Sequence, residues 1–474
     1  MLLMTVIVIL KNLIPFLFKK CDRYHFRQIY YQLALNEMMI HFINNIISTM
    51  NRDAVMKIKK LRWYIISLVM LGTIINYLAR STLGVAAPEM MKTLHLSSEQ
   101  YSWIVSVFPF TYAIGGIACG FIIDKFGLRI SFAVLAALWS LCNMLTALFS
   151  SWLPIACLRG GLGLTEAAFN PAGMKVTAEW FPAKERGLAC GIYSLGTSLG
   201  AMLAPPLVVW AILNYNWEMS FVVTGGIGVL WSILWLLCYR SPETHPALLK
   251  AEYDEVQADN GLVAASEKAT LGSMIKDKNL WAISLPRFMA DPAWGTLHYW
   301  MPLYLVTVRH MNLSEIAMFA WLPFLTADLG CLAAGYISKF LNNRGVHIIN
   351  AKRITFTFAA LLMLSMAAVG YVQNVYAAIA LFCVAGFAHQ CLSITVISMS
   401  SDLFPRQKVA TATGFAAFSG SMGNFAFSLF LGAMVAVVGY NLFFIGLGVF
   451  DLIGAAFLWL LIKKPTPAFK PAVA

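Results

Sequence analysis

Runs of roughly twenty apolar residues recur along almost the whole chain, and that is the length a helix needs to cross the hydrocarbon of a bilayer. We read twelve, at about residues 63–79, 101–122, 130–150, 152–176, 187–213, 219–239, 281–308, 314–341, 353–372, 375–400, 408–437 and 440–462. Composition agrees: 59% of residues are apolar and 12% charged, against about 25% charged in soluble domains, and the mean hydropathy is +0.72. The pattern predicts an all-α integral membrane protein with twelve transmembrane helices.

The formal net charge of +12 speaks to orientation rather than to nucleic acid, because basic residues in short loops stay cytoplasmic. Lys57, Lys59, Lys60 and Arg62 precede the first run. Lys125 and Arg129 follow the second, Lys184 and Arg186 the fourth, and Arg240, Lys250, Lys268, Lys276 and Lys278 the sixth. Lys339, Arg344, Lys352 and Arg353 follow the eighth, Arg406 and Lys408 the tenth, and Lys463 and Lys464 the twelfth. The alternate loops hold almost only Lys92 and Arg309. Both termini are therefore expected in the cytoplasm, in agreement with an even span count. The nine cysteines lie mostly inside the runs without C-x-x-C or Cys/His ligand spacing. They read as small buried residues, not disulfides or metal ligands, and no cofactor is expected.

Residues 1–55 do not match the rest. LLMTVIVILKNLIPFLF is interrupted by Lys11 and Asn12 and is short for a span, and FLFKKCDRYHF is a poor cleavage site for a signal peptide. We read this segment as an over-extended start, with an amphipathic or interfacial segment as the alternative. Residues 56–240 form one six-helix half, 241–280 a polar cytoplasmic linker, 281–465 the second half and 466–474 a cytoplasmic tail. An internal repeat supports the division. EWFPAKERGLACGIYSLGTSLG from Glu179 aligns without gaps with DLFPRQKVATATGFAAFSGSMG from Asp402, setting Phe181 on Phe404, Gly191 on Gly414, Ser198 on Ser421 and Gly200 on Gly423. GFIIDKFGLR from Gly120 and GYISKFLNNRG from Gly335 make a weaker pair. Two halves descended from one unit place a binding site at their interface, near the midplane.

Arg159 and Glu166 stand inside the fourth run. An ionisable group at that depth costs about 2.5–3.5 kcal/mol on insertion scales and is rare unless it lines a pathway. Seven residues are about two helical turns, so both side chains leave one face roughly 10 Å apart. An arginine can hold an anion and a carboxylate can carry a proton, which suggests proton-coupled transport of an acid. The alternative is an ion pair between the two that only orders helix packing.

The segment G-x-x-x-D-K-x-G-x-R, Gly120 to Arg129, resembles the signature loop of the major facilitator superfamily. INYLARS at Ile75–Ser81, the R-x6-E spacing of Arg159 and Glu166, and NPAG followed by EWFP resemble its anion:cation symporter branch. APPLVVWAI, LPRFMADPAWGT, EIAMFAWLP, ADLGC and GFAHQ resemble the bacterial hexuronate (galacturonate and glucuronate) permease group. The likeness covers about residues 56–465. It implies two pseudo-symmetric six-helix halves in a bacterial inner membrane, acting as a monomer without a cofactor. It implies symport of a sugar acid with protons by alternating access, a hexuronate first and an aldonate such as galactonate as the alternative. A channel or a transporter-like nutrient sensor is the alternative from another class. A membrane enzyme finds no G-x-x-x-x-G-K-[ST] or H-E-x-x-H motif.

The resemblance also assigns residues. Arg80 falls on a position that contributes to the substrate carboxylate site, although it is far enough along its span to snorkel to the headgroups instead. Tyr112, Thr197 and Asn424 fall on sugar-contacting positions. For Tyr112 the alternative is ordinary packing, and for Thr197 a hydroxyl bonded to its own helix backbone. The branch commonly carries an acid directly before the first-span arginine; here Ala79 stands there. Glu166 then remains to carry the proton, with Asp291 and Asp328 as second-half substitutes. In PRFMADPAWGTLHYW, Pro286 and Pro292 should bend the helix, exposing Trp294 and His298 to a substrate, while Arg287 can simply pair with Asp291 at i, i+4. His389 and Gln390 can bond sugar hydroxyls, or His389 can be a buried neutral histidine. Asp124, Lys125 and Arg129 of the signature loop read as gating contacts.

Overall fold

A computed structural model describes residues 58–260, 274–404 and 406–462 of the chain. The N-terminal extension over 1–55, the tail over 466–474 and part of the linker lie outside the described residues. Each of the twelve apolar runs is helical. In chain order the helices are α1 (Leu61–Leu94), α2 (Ser98–Phe126), α3 (Leu128–Leu145), α4 (Trp152–Glu166), α5 (Phe169–Trp180), α6 (Ala183–Asn214), α7 (Trp217–Cys238), α8 (Lys250–Asn260) and α9 (Lys278–Gly295). There follow a π-helical turn (Thr296–Trp300), α10 (Met301–Thr307), α11 (Leu313–Phe319), α12 (Leu322–Asn343), α13 (Ile348–Met363), α14 (Ser365–Ala368), α15 (Val375–Leu403) and α16 (Arg406–Leu461).

Polar caps mark where spans begin, because the first amides of a helix lack intrahelical partners. Ser97 and Gln100 form a capping box at α2, Asn312 and Glu315 another at α11, and Asn216 and Asn374 cap α7 and α15. Gly127 separates α2 from α3 at φ 84°, in the left-handed region that favours glycine. That is a structural reason for the second glycine of the signature loop.

Eight helices among the described residues are long and apolar enough to cross a membrane, or nine with the bent α2. The remaining three of the twelve runs are accounted for by their sequences. α16 holds two runs, broken at Gly439 with φ 73°. The fourth run splits between α4 and α5 after Glu166. The seventh carries Arg287 and Asp291, and is interrupted by the π turn after Pro292.

Packing repeats across the two halves. α2 lies on α4 as α12 lies on α15, and α3 lies on α7 as α13 lies on the last part of α16. The first half is cored by edge-on aromatics, with Phe132 meeting Phe169, Trp231 and Trp235 at 5.0–5.3 Å. The halves meet where α2 packs on α16 and, in the related position, where α6 packs on α12. Between the halves Tyr101 meets Trp300 (5.1 Å between ring centroids), Phe110 meets Phe425 (5.3 Å), and Gly84 lies against the His298 carbonyl. Separately, the residues just before α1 and the start of the linker make a small unit of their own, in which the Ile58 amide donates to the Ala247 carbonyl (3.0 Å).

Candidate functional site

Glu166 ends α4 and is fully buried, at 0% exposure. Arg80 of α1 reaches it, Nε donating to Oε2 at 3.2 Å. The carboxylate is thus paired with an arginine of another helix rather than with Arg159 of its own, which corrects the pairing that the seven-residue spacing suggested. Two turns of rise keep Arg159 and Glu166 about 10 Å apart along α4, while α1 passes alongside. Arg159 Nη2 instead donates to the Arg80 carbonyl (2.8 Å) and to the Tyr299 hydroxyl (3.2 Å). Arg80 is buried among rings and not turned to the headgroups. Its guanidinium lies 4.3 Å from the Tyr77 centroid and 4.9 Å from those of Phe108 and Tyr112. Phe108 also lies 4.9 Å from the Arg159 guanidinium. Arg80 Nη2, Arg159 Nε and Nη1, and Glu166 Oε1 are buried with no partner among the described residues. Two guanidinium groups against one carboxylate leave a formal single positive charge here.

Across the interface stand the π turn and its neighbours. His298 Nδ1 is 3.2 Å from Ser81 Oγ of α1, and its ring lies 4.6 Å from Phe324 and 4.9 Å from Trp294. The His389 ring stacks on Trp294 at 5.1 Å and 14°. The Asn424 amide rests on the backbone at Gly295, and Gln390 is half-buried beside His389. A π-helical turn follows Pro292, and it carries the His298 and Tyr299 that meet Ser81 and Arg159 of the first half. Trp294, His298 and His389 therefore form one ring cluster in the second half with Asn424 beside Gly295, and Arg80, Tyr112 and Arg159 gather around Phe108 in the first.

Other expected residues bond outside these clusters, and Tyr112 has a further partner there. Arg287 pairs with Asp291 at i, i+4 (2.9 Å) and donates to Ser393. Asp328 accepts a hydrogen bond from Ser198, joining α12 to α6. The Thr197 hydroxyl donates to the Ser194 carbonyl of its own helix (2.8 Å), and Tyr112 accepts from Asn170 (3.2 Å). In the signature loop Asp124 pairs with Lys175 (2.8 Å), Lys125 lies exposed near the Phe126 ring (5.3 Å), and Arg129 donates from Nε and Nη2 to the Leu236 carbonyl at the end of α7.

Three features escaped the sequence reading. Tyr299 accepts from Arg159, and its carbonyl accepts from the Tyr101 hydroxyl (2.7 Å), so it links α2, α4 and the π turn. Ser81 follows Arg80 directly and meets His298. Asp451 lies in the twelfth run, fully buried, with neither carboxylate oxygen partnered. The signal for Asp451 was present, since an acid in an apolar run is as anomalous as Arg159.

A helical bundle of two related halves, with at least eight helices among the described residues long and apolar enough to cross a membrane and buried charge near where the halves meet, has the architecture of a polytopic membrane transporter. The chain belongs to the Major Facilitator Superfamily, whose profile matches residues 69–350 and 346–474. It is 42% identical over 421 residues to the hexuronate transporter of Escherichia coli (strain K12), covering 88% of this chain and 96% of that one. It is 41% identical over 328 residues to the galacturonate transporter of Dickeya chrysanthemi, covering 68% and 95%. Its fold is similar to that of a bacterial homologue of the human lysosomal transporter Spinster in an inward-facing and occupied conformation, at a TM-score of 0.68, 18% identity, and coverage of 85% and 97%.

Proposed function

We propose that this protein imports a hexuronate, galacturonate or glucuronate, together with protons by alternating access of its two halves. It works as a monomer in a bacterial inner membrane with both termini cytoplasmic. One observation carries the reading: Glu166 is fully buried and bonded to Arg80, while Arg159 keeps two buried nitrogens without a protein partner. The single excess positive charge calls for one anion, because net charge in a low-dielectric interior is unfavourable. A substrate carboxylate that engages Arg159 and Arg80 competes with Glu166 for the guanidinium. A buried carboxylate deprived of its countercharge favours the protonated form, so substrate and proton load together. The sugar hydroxyls meet Trp294, His298, His389, Gln390 and Asn424, with Tyr112 and Thr197 on the first half, while Asp328 stays with Ser198.

With a cytoplasmic start of α1, the contacts among Ser81, Gly84, Tyr101, Arg159 and the π turn close the outer side. Asp124, Lys125 and Arg129 then belong to the inner gate, which forms when the halves rock the other way. The test is uptake of a sugar-acid panel into proteoliposomes under an imposed pH gradient. Galacturonate or glucuronate should accumulate above its outside concentration. Flux without accumulation would mean a channel, and preference for galactonate or another aldonate would overturn the substrate class.

A further inference from the structure

The second half, like the first, holds a fully buried carboxylate in an apolar run, and the mechanism above leaves it unused. Asp451 sits on the last part of α16, 0% exposed, with Oδ1 and Oδ2 both unpartnered. One turn further on, Gly454 packs on α9, where an added Cβ would lie 3.2 Å from Pro286 Cα. The two helices run in opposite directions, so a step back from Gly454 to Asp451 is a step forward along α9 from Pro286, toward Arg287 and Asp291. That register sets Asp451 beside the stretch of α9 that carries Asp291, within electrostatic reach of its carboxylate. Asp291 Oδ2 accepts from Arg287 Nη2 (2.9 Å), and its Oδ1 is buried without a partner among the described residues. On its other side it rests against Gly420, on the first part of α16.

The charged and titratable groups around the pair are few. α9 supplies Arg287 and Asp291. From α15, His389 interacts with Arg287 and is stacked on Trp294. Arg353 of α13 is turned away, to the Ile462 carbonyl and the Trp459 ring at the end of α16. Two carboxylates against the single guanidinium of Arg287 therefore leave one uncompensated negative charge in a water-poor interior. Two carboxylates sharing a site cannot both ionise readily, and an unpaired buried charge is strongly unfavourable.

We propose that Asp451 and Asp291 together hold a second transported proton, bound in the C-terminal half on the opposite side of the interface from Glu166. Asp291, whose side chain is 16% exposed, is the doorway, and Asp451 is the buried reservoir that keeps the proton from leaking. Asp291 lies one turn before Trp294 on the same helix, so the movement of α9 that opens the substrate wall also opens the doorway. This inference rests on the symport proposed above and extends it from one proton to two.

The equilibrium accumulation of a substrate rises about tenfold per pH unit for each coupled proton. Purified full-length protein in proteoliposomes, without a membrane potential and in sodium-free buffer, reads that slope directly. Wild type should show about a hundredfold limit per pH unit and Asp451→Asn about tenfold. Substrate counterflow, which needs binding and rocking but no gradient, should persist in Asp451→Asn and so reports that the variant is folded. Asp291→Asn supplies an independent arm with the same tenfold loss, and combining the two substitutions should add nothing, because they share one proton. An unchanged slope in either single variant, or additive losses in the double, overturns the second proton. Accumulation driven by an imposed sodium gradient would overturn it in favour of a metal cation. The wild type separates the two readings: no pH-driven accumulation in it refutes the symport itself, whereas pH-driven accumulation that Asp451→Asn leaves unaltered refutes only the second site.

Discussion

Replacing Glu166 by glutamine tests the centre of the proposed mechanism. The substitution removes one charge and almost no volume at a position with no exposure. Stranding one member of a buried ion pair usually costs about 3–5 kcal/mol. Here the stranded group is less exposed to that penalty. Glutamine keeps an oxygen that can accept from Arg80 Nε, and Tyr77, Phe108 and Tyr112 hold the guanidinium in place. The stability loss should therefore be nearer that of one charge-assisted hydrogen bond, about 1.5–3 kcal/mol, and the protein should still fold. Transport separates binding from coupling. Arg80 no longer shares its charge with a carboxylate, so acid-sugar affinity in a thermal-shift titration should be equal to or tighter than wild type, and counterflow should continue. The accumulation limit should drop about tenfold per pH unit, and Glu166→Gln combined with Asp451→Asn should abolish pH-driven accumulation altogether. A Glu166→Gln protein with the wild-type slope would refute the assignment of the proton to this carboxylate, since no acid precedes Arg80 at Ala79 to take it over.

Arg159→Ala should remove the substrate carboxylate contact along with the hydrogen bonds to the Arg80 carbonyl and Tyr299. Losing one partner of a buried charge pair is worth about 2–5 kcal/mol, so calorimetric affinity for galacturonate should fall at least about thirtyfold; unchanged affinity would count decisively against the role. Gly84→Ala would drive a methyl group into the His298 carbonyl, and backbone cannot yield as a flexible side chain can. Counterflow should slow while thermal stability changes little if that contact forms only when one side is closed; undiminished counterflow would show that the approach of α1 to the π turn is not part of the cycle.

The legibility of this molecule divides along physical lines. Membrane insertion depends on local hydrophobicity, so the apolar spans could be read from short windows, whereas the caps at Ser97, Asn216, Asn312 and Asn374 emerged with the structure. Anomalous charge in an apolar run is equally local, which is why Arg159 and Glu166 stand out; Arg80, Asp291 and Asp328 enter through the resemblance, and Asp451 carries the same local signal with no motif around it. Pairing is not local. The spacing along α4 put Arg159 and Glu166 on one face, but a seven-residue rise separates them, and the partner of Glu166 came from α1, eighty-six residues away. Tyr299 could not be distinguished from any other aromatic until the π turn brought it to Arg159. The chain alone thus determines which residues are costly to bury, because that cost belongs to each side chain and its neighbours in sequence. Only the tertiary structure decides which charges meet, because a guanidinium and a carboxylate compensate each other over a few ångströms set by how whole helices pack.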